Sequence, residues 1–340
     1  MEETAIEWCA RFNRDGRIIG QGRTWNPWRG CADALLPDGT PHPGCANCYA
    51  RRQSGINPKS LGTWGTDPED GATRILAAAQ TFNRPLAWNK RAAEEGNVDM
   101  VFVDSMSDFA DEWSGPVTDH DGAATGMSLD DVRAAVLALI DRCQSLRFLI
   151  FTKRPWRLCE ILGATYRSNV WLCYSASDQA SYDAGAEIMV GLRSIAPVCG
   201  ISFEPALSPI DFGPWLGPAG INWIIAGGES GNSPRTVRAL HPSIPRSVRR
   251  QCQAAGIPWF LKQWGEWLPI SQDEGAGIDV DKFEGHTATV RHDGAMFGAG
   301  ETIRFCCSDC RTEDVLWVGK KAAGSLLDGV DYKEFPSLGI

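Results

Sequence analysis

Short apolar runs alternate with amphipathic segments through the middle of the chain. Each run ends in polar residues or glycine, as buried parallel strands do, and the segments between them have the apolar spacing of helices that pack on a sheet. With a first strand near residues 6–9 or 24–25, the pattern predicts about seven strand–helix units and an α/β fold. We expect a parallel (β/α) barrel, partial or complete, with a doubly wound open sheet as the alternative. The predicted strands are 98–103, 147–152, 170–175, 198–203, 222–226 and 259–262, and the predicted helices are 128–142, 155–162, 181–195 and 244–255.

This alternation stops near residue 268, where glycines and acidic residues surround one short alternating run at 288–291. Alternation of apolar and polar residues is typical of a half-buried strand, so we expect a small β-hairpin insertion near the C-terminus. The predicted layout is a barrel domain over residues 1–267, a β-rich insertion over 268–315, and a C-terminal helix and tail over 316–340 that pack back on the barrel.

The composition is that of a globular chain, because 43% of the 340 residues are apolar and 22% are charged. A formal net charge of −9 argues against long, sequence-independent wrapping of nucleic acid but leaves room for a local basic site. We find no run of about 18 apolar residues and no charged-then-apolar leader, so we expect no membrane span and a cytoplasmic chain. In such a chain, the twelve cysteines indicate reduced thiols, some of them metal ligands.

Three cysteines lie in a segment rich in Gly and Pro, residues 23–50, which we call the cysteine loop. Thirteen residues separate Cys31 from Cys45, and two separate Cys45 from Cys48. A C-x-x-C pair and a third cysteine from a flexible loop form a three-thiolate face, which suits a soft metal or an iron–sulfur cluster and leaves one coordination position open. His42 as a fourth ligand would instead make a closed zinc site. The same spacing also fits a redox C-x-x-C pair, or three cysteines that are simply buried.

The remaining cysteines fall into two groups. Cys306, Cys307 and Cys310 form a CCSDC motif in the predicted insertion, where a second metal site or a structural or redox thiol cluster is expected. The single cysteines lie in apolar or helical contexts, and we expect them in the core: Cys9, Cys143, Cys159, Cys173, Cys199 and Cys252.

Polar residues follow the predicted strands. In a parallel barrel, residues just past the carboxyl ends of the strands line the active face. Charged groups are costly to bury there unless they are paired or bind a ligand. Instead of a ligand site, these charges could form internal Lys153–Glu204 and Glu229–Lys262 ion pairs. The candidates are Asp104, Ser105, Ser107, Asp108, Thr152, Lys153, Arg154, Ser175, Ser177, Glu204, Gly227, Gly228, Glu229, Ser230, Lys262 and Gln263.

Several motifs carry a family resemblance. The sequence TWNP, then GC, then GCANCYA resembles an uncharacterised family of phages and bacteria that is similar to a divergent branch of the radical S-adenosylmethionine (SAM) enzymes. Radical SAM enzymes usually carry CxxxCxxC with an aromatic residue before the last cysteine. Here the first gap is long, Asn47 precedes Cys48, and Tyr49 follows it, so Tyr49 is the aromatic candidate for the cofactor site. Further matching stretches are FVDSMSDF (102–109), FTKRP (151–155), SFEP (202–205), IAGGESG (225–231), FLKQWGEW (260–267) and VGKKAAGSLLDG (318–329).

The resemblance implies two cofactors, a [4Fe–4S] cluster on the three cysteines of the loop and SAM on the open iron. It also implies an electron donor similar to flavodoxin or ferredoxin. A GGE motif meets the amino group of SAM in radical SAM enzymes, which points to Gly227–Glu229. The position in the fold makes the Asp104–Ser107 turn the competing site, and Ser175 is a further candidate for cofactor binding.

The resemblance further implies hydrogen abstraction from a substrate. Because relatives occur in phages, a nucleoside or nucleic-acid base is the preferred substrate class, and base modification or repair is the expected reaction. The catalytic candidates are Glu204, Lys153 and Lys262. The same cysteines would also suit a zinc-dependent hydrolase or deaminase with Glu204 or Glu229 as general base. A third possible class is a non-enzymatic zinc-binding phage accessory protein.

Overall fold

The computed structural model describes residues 3–273, 287–298 and 311–338. These residues fall into two compact units. The first comprises the described residues within Met1–Tyr174, Glu187–Gly200 and Ser337–Ile340, and the second comprises those within Ser175–Ala186 and Ile201–Pro336. The predicted division of the chain at residues 267 and 315 remains a prediction.

The main sheet of the first unit is built around β6, a fully buried strand. It pairs in parallel with β8 along one edge, while the other edge is shared by β3, which is parallel, and β1, which is antiparallel. β8 continues in parallel to β9, and β4, β5 and β7 form a separate small sheet. The strands are β1 (Ala10–Phe12), β2 (Ile18–Gln21), β3 (Arg23–Trp25), β4 (Trp28–Arg29), β5 (Arg74–Leu76), β6 (Val98–Val103), β7 (Val117–Thr118), β8 (Leu146–Thr152) and β9 (Val170–Ser175).

The second unit contains the end of β10 and two sheets of different character. β10, β11 and β12 lie in the order β12-β11-β10, with β11 and β12 parallel. An antiparallel sheet in the order β13-β16-β14-β15 contains the hairpin β14–β15 and packs around Val290, Val315 and Trp267. The strands are β10 (Val198–Phe203), β11 (Trp223–Ala226), β12 (Trp259–Leu261), β13 (Trp267–Pro269), β14 (Thr287–Arg291), β15 (Met296–Gly298), β16 (Thr312–Trp317), β17 (Leu326–Leu327) and β18 (Val330–Asp331).

Two of the longer helices begin or end at a signal that the sequence contains. Ser128 caps α5 in a reciprocal capping box with Asp131, and α9 ends at Gly256, which has a φ of 67°. The helices in the described ranges are α1 (Tyr49–Ile56), α2 (Pro58–Leu61), α3 (Ala79–Phe82), α4 (Arg84–Glu95), α5 (Leu129–Asp141), α6 (Leu158–Leu162), α7 (Gln179–Asp183), α8 (Ala186–Gly191), α9 (Ser243–Ala255) and α10 (Lys320–Ala323).

Two predictions about elements are wrong, and a third left two positions open for the first strand. The single helix predicted at 181–195 is instead α7, α8 and a short 3-10 turn, because Gly185 and Gly191 have low helix propensity and interrupt it. The first parallel strand is at 24–25, within β3, rather than at 6–9. Cys159 is exposed on α6, although we predicted it in the core.

The predicted α/β class with mostly parallel strands is confirmed. The finer prediction of a (β/α) barrel remains a prediction. The motif with Cys306, Cys307 and Cys310 lies outside the described residues.

Candidate metal and ligand site

The turn after β3 ties the start of the cysteine loop to the end of β6. The Asn26 amide donates to Ser105 Oγ at 3.0 Å, and Asn26 Oδ1 accepts from the Met106 backbone N–H at 2.9 Å. The Gly30 N–H donates to the Met106 carbonyl at 3.2 Å. The asparagine of the TWNP motif therefore holds the loop against the adjacent strand end.

The glycine before Cys31 is required by the backbone. Gly30 has a φ of 99°, a conformation that side chains rarely adopt, and a Cβ there would lie 2.2 Å from the Thr73 carbonyl oxygen. The GC motif thus follows from a close approach of two backbone segments, and this approach fixes where Cys31 enters the loop.

Each of the three cysteines has a defined local setting. Cys31 and Cys45 are buried, and Cys48 is half-buried. Cys45 ends a 3-10 turn that His42 caps, with Nδ1 accepting from a backbone N–H of the turn at 3.1 Å. Cys48 is the N-cap of α1. The loop therefore presents the cysteines from a turn and a helix start rather than from disordered chain.

Lys153, the residue after β8, carries a charge on which all three cysteines of the loop act. Burial lowers the pKa of Lys153, but the negative groups around its ammonium outweigh burial and raise that pKa above its usual value. These groups are, in order of effect, Cys45, Cys48, Asp108 and Cys31. Because such attraction weakens with distance, all three cysteines of the loop share the surroundings of one ammonium group.

The buried thiols hold their protons strongly. Burial raises the pKa of Cys31 well above its usual value. Burial also raises the pKa of Cys45, although the Lys153 charge lowers it in part. A metal ligand must be a thiolate, so metal binding at these residues would release protons.

Arg154 braces the cysteine loop from the end of β8. Its buried guanidinium donates to Asp108 Oδ2 at 3.0 Å, and to the carbonyl oxygens of Ala32 and Asp33 at 3.2 and 3.3 Å. Burial would raise the pKa of Asp108, but the Arg154 charge and hydrogen bonds turn this into a net lowering. The charged pair thus fixes the backbone directly after Cys31.

Further arginines hold the segment that follows Asp108. Arg74 pairs with Asp111 inside the first unit. Arg157 donates to the Asp111 carbonyl at 2.7 Å, and Arg133 donates to the Phe109 carbonyl at 2.8 Å. These arginines are engaged by protein groups, so their charge serves the structure of the strand end.

The sulfur atoms are spread more widely than one zinc ion requires. In a tetrahedral zinc site, Zn–S bonds of about 2.3 Å bring the sulfurs to within about 4 Å of one another. Within the described ranges, the cysteine loop contributes no set of three ligand atoms that all lie within 4.8 Å of one another, with or without His42. A four-iron cluster takes each cysteine on a different iron, so it accommodates a wider spacing.

Asp104 places a buried carboxylate beside this loop. Its backbone has a φ of 61°, which is unusual for a residue other than glycine. Neither carboxylate oxygen has a hydrogen-bond partner among the described residues. Burial raises the pKa of Asp104 well above its usual value, and the nearby Ser107 offsets only part of this. Strained polar groups that lack a partner are characteristic of ligand sites.

The neighbours of Asp104 include other predicted residues. The Tyr49 hydroxyl donates to the Ser105 carbonyl at 2.5 Å, so Tyr49 reaches the strand end from α1. Ser107 Oγ donates to the Trp28 carbonyl at 3.3 Å. The first unit therefore brings together the predicted residues of the β6 end and the aromatic residue that follows Cys48.

The charged candidates of the second unit form ion pairs. Lys262 Nζ lies 3.1 Å from Glu204 Oε1. Glu229 is bound by Arg238, whose backbone N–H and Nε donate to it at 2.8 and 3.0 Å. Lys262 therefore pairs with Glu204 and not with Glu229, unlike the Glu229–Lys262 ion pair that the alternative to a ligand site named.

The glycines before Glu229 are explained by packing. A Cβ at Gly227 would lie 2.6 Å from Glu204 Oε1, and a Cβ at Gly228 would lie 1.9 Å from the Trp264 carbonyl oxygen. Ser175, at the end of β9, is buried. The two glycines admit other protein groups, and their role in binding SAM remains a prediction.

Sequence reasoning missed two residues that shape these sites. Asn26 had a signal, because it lies within the TWNP motif. Arg238 had none, since it lies in a stretch without helix or strand and no local pattern indicates that it would reach Glu229.

The chain as a whole is similar to one family of proteins. A family model described as "Protein of unknown function (DUF5131)" matches residues 3–336, so the chain belongs to that family. No curated protein and no solved structure matches the chain. Among the described residues, no helix combines the length and the apolar character needed to cross a membrane.

Proposed function

We propose that this protein is an iron–sulfur enzyme of the radical SAM type, and that its mostly parallel strands are part of a (β/α) barrel. In this proposal Cys31, Cys45 and Cys48 bind a [4Fe–4S] cluster and leave one iron free for SAM. The observation that carries the proposal is that the loop holds two buried cysteines and one half-buried cysteine, and that all three act on the charge of Lys153. When bound, the cluster would pass an electron from the donor to SAM for its reductive cleavage, chemistry that leads to hydrogen abstraction from a substrate.

The surroundings of the cysteines suit such a cluster. Three thiolates bring three negative charges, which a buried site tolerates only when positive charge lies close by. Lys153 supplies an ammonium group on which all three cysteines act, and Arg154 holds the backbone after Cys31. The charge and burial around a cluster also set its reduction potential. We therefore assign Lys153 to the cluster site, where it offsets the thiolate charge.

Asp104 is the residue that we assign to the amino group of SAM. Its carboxylate is buried without a partner in the described ranges, whereas Glu229 is held by the Arg238 side chain and backbone. A protonated amine would give Asp104 a charged partner. Tyr49 lies against the same strand end and is positioned to contact the rest of the cofactor.

The substrate and the electron donor follow from the resemblance. We propose a nucleoside or nucleic-acid base as substrate, in base modification or repair, and a donor similar to flavodoxin or ferredoxin. Glu204 and Lys262 are the candidates for proton transfer, because an ion pair of 3.1 Å at the ends of two strands provides both an acid and a base.

Iron content tests the proposal. Protein reconstituted anaerobically with iron and sulfide should bind about four irons per chain, and Cys31→Ala, Cys45→Ala or Cys48→Ala should each abolish most of this uptake. Cys159→Ala is the matched control, since Cys159 is an exposed cysteine of the same unit. Iron and sulfide assays with an absorbance spectrum give the readout. Stoichiometric zinc without iron uptake would refute the radical SAM proposal and favour a zinc-dependent hydrolase or deaminase.

A further inference from the structure

A stretch without acidic residues covers the end of the cysteine loop and the two helices that follow it. Although 42 of the 340 residues are Asp or Glu, none lies between Asp38 and Asp67. The same stretch contains Arg51, Arg52 and Lys59, in a chain whose formal net charge is −9. The charge of this stretch is therefore opposite in sign to that of the whole chain.

The first of these helices, α1, has one buried face and one exposed face. Ala50 and Ser54 are buried one turn apart, and Ser54 Oγ donates to the Gly62 carbonyl. Arg52 and Ile56, which are also one turn apart, are exposed and line the opposite face. Ile56 is 78% exposed. The exposed face of α1 thus combines a cation with an apolar side chain.

Two of the three cations on these helices are available to a partner. Arg51 pairs with Asp33 of the cysteine loop at 2.9 Å, so its charge serves to hold α1 against the loop. Within the described ranges, neither Arg52 nor Lys59 forms an ion pair, and both are exposed. Lys59 lies on α2, which follows α1 directly. We call the exposed residues Arg52, Ile56 and Lys59 the α1–α2 surface.

This surface begins at a proposed cluster ligand. Cys48 is the N-cap of α1, and the eight residues of that helix span about 12 Å. A protein bound to the exposed face of α1 therefore lies within the length of one short helix of Cys48. The proposed cluster needs an electron donor, and the donor must approach its ligands.

The composition of the α1–α2 surface favours a protein over nucleic acid as the partner. Single strands stack their bases on aromatic side chains, but α1 offers only Tyr49, whose hydroxyl donates to the Ser105 carbonyl. An exposed apolar residue among cations suits a small protein interface, and redox partners bind through interfaces at the small end of the range. In a symmetric dimer of this chain, the same cations would instead face each other.

We propose that the α1–α2 surface is the docking site of the electron donor, a redox protein whose binding face is acidic. Opposite charges steer such a partner to this surface, while the net charge of −9 repels it elsewhere. On docking, the reduced donor is oxidised by one electron, and the cluster is reduced by that electron. This role rests on the proposed function, in which the cysteine loop binds the cluster that receives the electron.

Binding of electron carriers tests the docking site. The probes are a flavodoxin and a ferredoxin with acidic surfaces, and calorimetry at low salt measures their binding to iron-free and to reconstituted protein. Arg52→Glu and Lys59→Glu should each weaken binding by about tenfold, because each turns an attraction into a repulsion. Ile56→Ser should weaken it by about tenfold through the lost apolar contact. Lys90→Glu is the matched control, since Lys90 is an exposed residue of α4 in the same unit, and it should leave binding unchanged.

The rate of cluster reduction gives a second measurement. In stopped-flow experiments, reduction by the carrier should slow by about tenfold in Arg52→Glu and in Lys59→Glu, and its dependence on salt should weaken. The extent of reduction by dithionite should stay the same, because a small reductant needs no docking site.

Unchanged binding of both carriers in Arg52→Glu and Lys59→Glu would overturn the docking site, as would no binding of either carrier or an equal loss in Lys90→Glu. A single-stranded oligonucleotide is the competing probe. If the two variants lost oligonucleotide binding and kept carrier binding, the surface would belong to nucleic acid and the docking site would be overturned. Full iron uptake alongside any of these results would leave the proposed function standing. Carrier binding to protein that never takes up iron would refute the radical SAM proposal and leave the docking site standing.

Discussion

Two buried carboxylates that are equal candidates in the sequence, Asp104 and Glu229, differ in what surrounds them. Glu229 accepts from the backbone and the side chain of Arg238. Asp104 makes no hydrogen bond of good geometry among the described residues, because the nearby Ser107 hydroxyl donates to the Trp28 carbonyl, and it has a φ of 61°. A ligand amine would compete with an arginine at Glu229, but at Asp104 it would satisfy a group that is otherwise costly to bury.

Substitution separates these two carboxylates. Asp104→Asn should weaken SAM binding to the reconstituted protein by about ten- to hundredfold, because it removes a charged hydrogen bond worth about 1.5–3 kcal/mol. Glu229→Gln is the control and should change SAM affinity by much less, measured by calorimetry with iron content held equal. Loss of affinity in Glu229→Gln alone would assign the amine to the GGE motif instead.

The raised pKa of Asp104 adds a pH dependence to the same measurement. The free protein keeps the Asp104 proton to a higher pH than an exposed aspartate does, whereas a bound ammonium group favours the carboxylate. Below that raised pKa, SAM binding should therefore release a proton and tighten as the pH rises. Calorimetry in buffers of different ionisation enthalpy detects the released proton, and Asp104→Asn should abolish it.

The cysteine loop is an element whose shape depends on single glycines. Gly30 and Gly39 both have positive φ, 99° and 85°, but of these two only Gly30 would bring a Cβ against another described atom, at 2.2 Å from the Thr73 oxygen. Gly39→Ala should cost about 1–2 kcal/mol of unfolding free energy through backbone strain alone. Gly30→Ala adds a collision that displaces Cys31.

We therefore expect Gly30→Ala to lose more stability than Gly39→Ala and to lose iron uptake as well. Urea unfolding and iron assays on the two variants measure both effects. Equal iron content in the two proteins would contradict our account of how the GC motif positions the first cysteine.

Elements were predictable where the signal is local. The apolar run of β6 and the Ser128 cap of α5 can be recognised from adjacent residues, and both are present. The interruption of the helix predicted at 181–195 by Gly185 and Gly191 was missed, because the apolar spacing continues across the glycines. The hydrophobic period shows which face is buried but not whether the backbone stays continuous.

The fold class of the whole chain could be predicted because parallel strands buried on both faces leave long apolar runs. The pairing of charged side chains could not be predicted, because the ion pairs Glu204–Lys262 and Arg154–Asp108 join residues that are far apart in the sequence. Any lysine at one strand end is a plausible partner for any carboxylate at another. Only the three-dimensional arrangement decides which groups are satisfied and which remain for a ligand.

The whole chain carries a second group of cysteines at Cys306, Cys307 and Cys310. In our proposal the cysteine loop supplies all three protein ligands of the cluster, and these cysteines act on the charge of Lys153 within the first unit. Replacing the three later cysteines together by alanine should therefore leave about four irons per chain and an unchanged absorbance spectrum, because the cluster needs no further protein thiolate. The matched triple variant of the cysteine loop should bind almost no iron. If the later triple variant lost the whole iron signal instead, these cysteines would supply ligands, and the loop alone would not be the metal site.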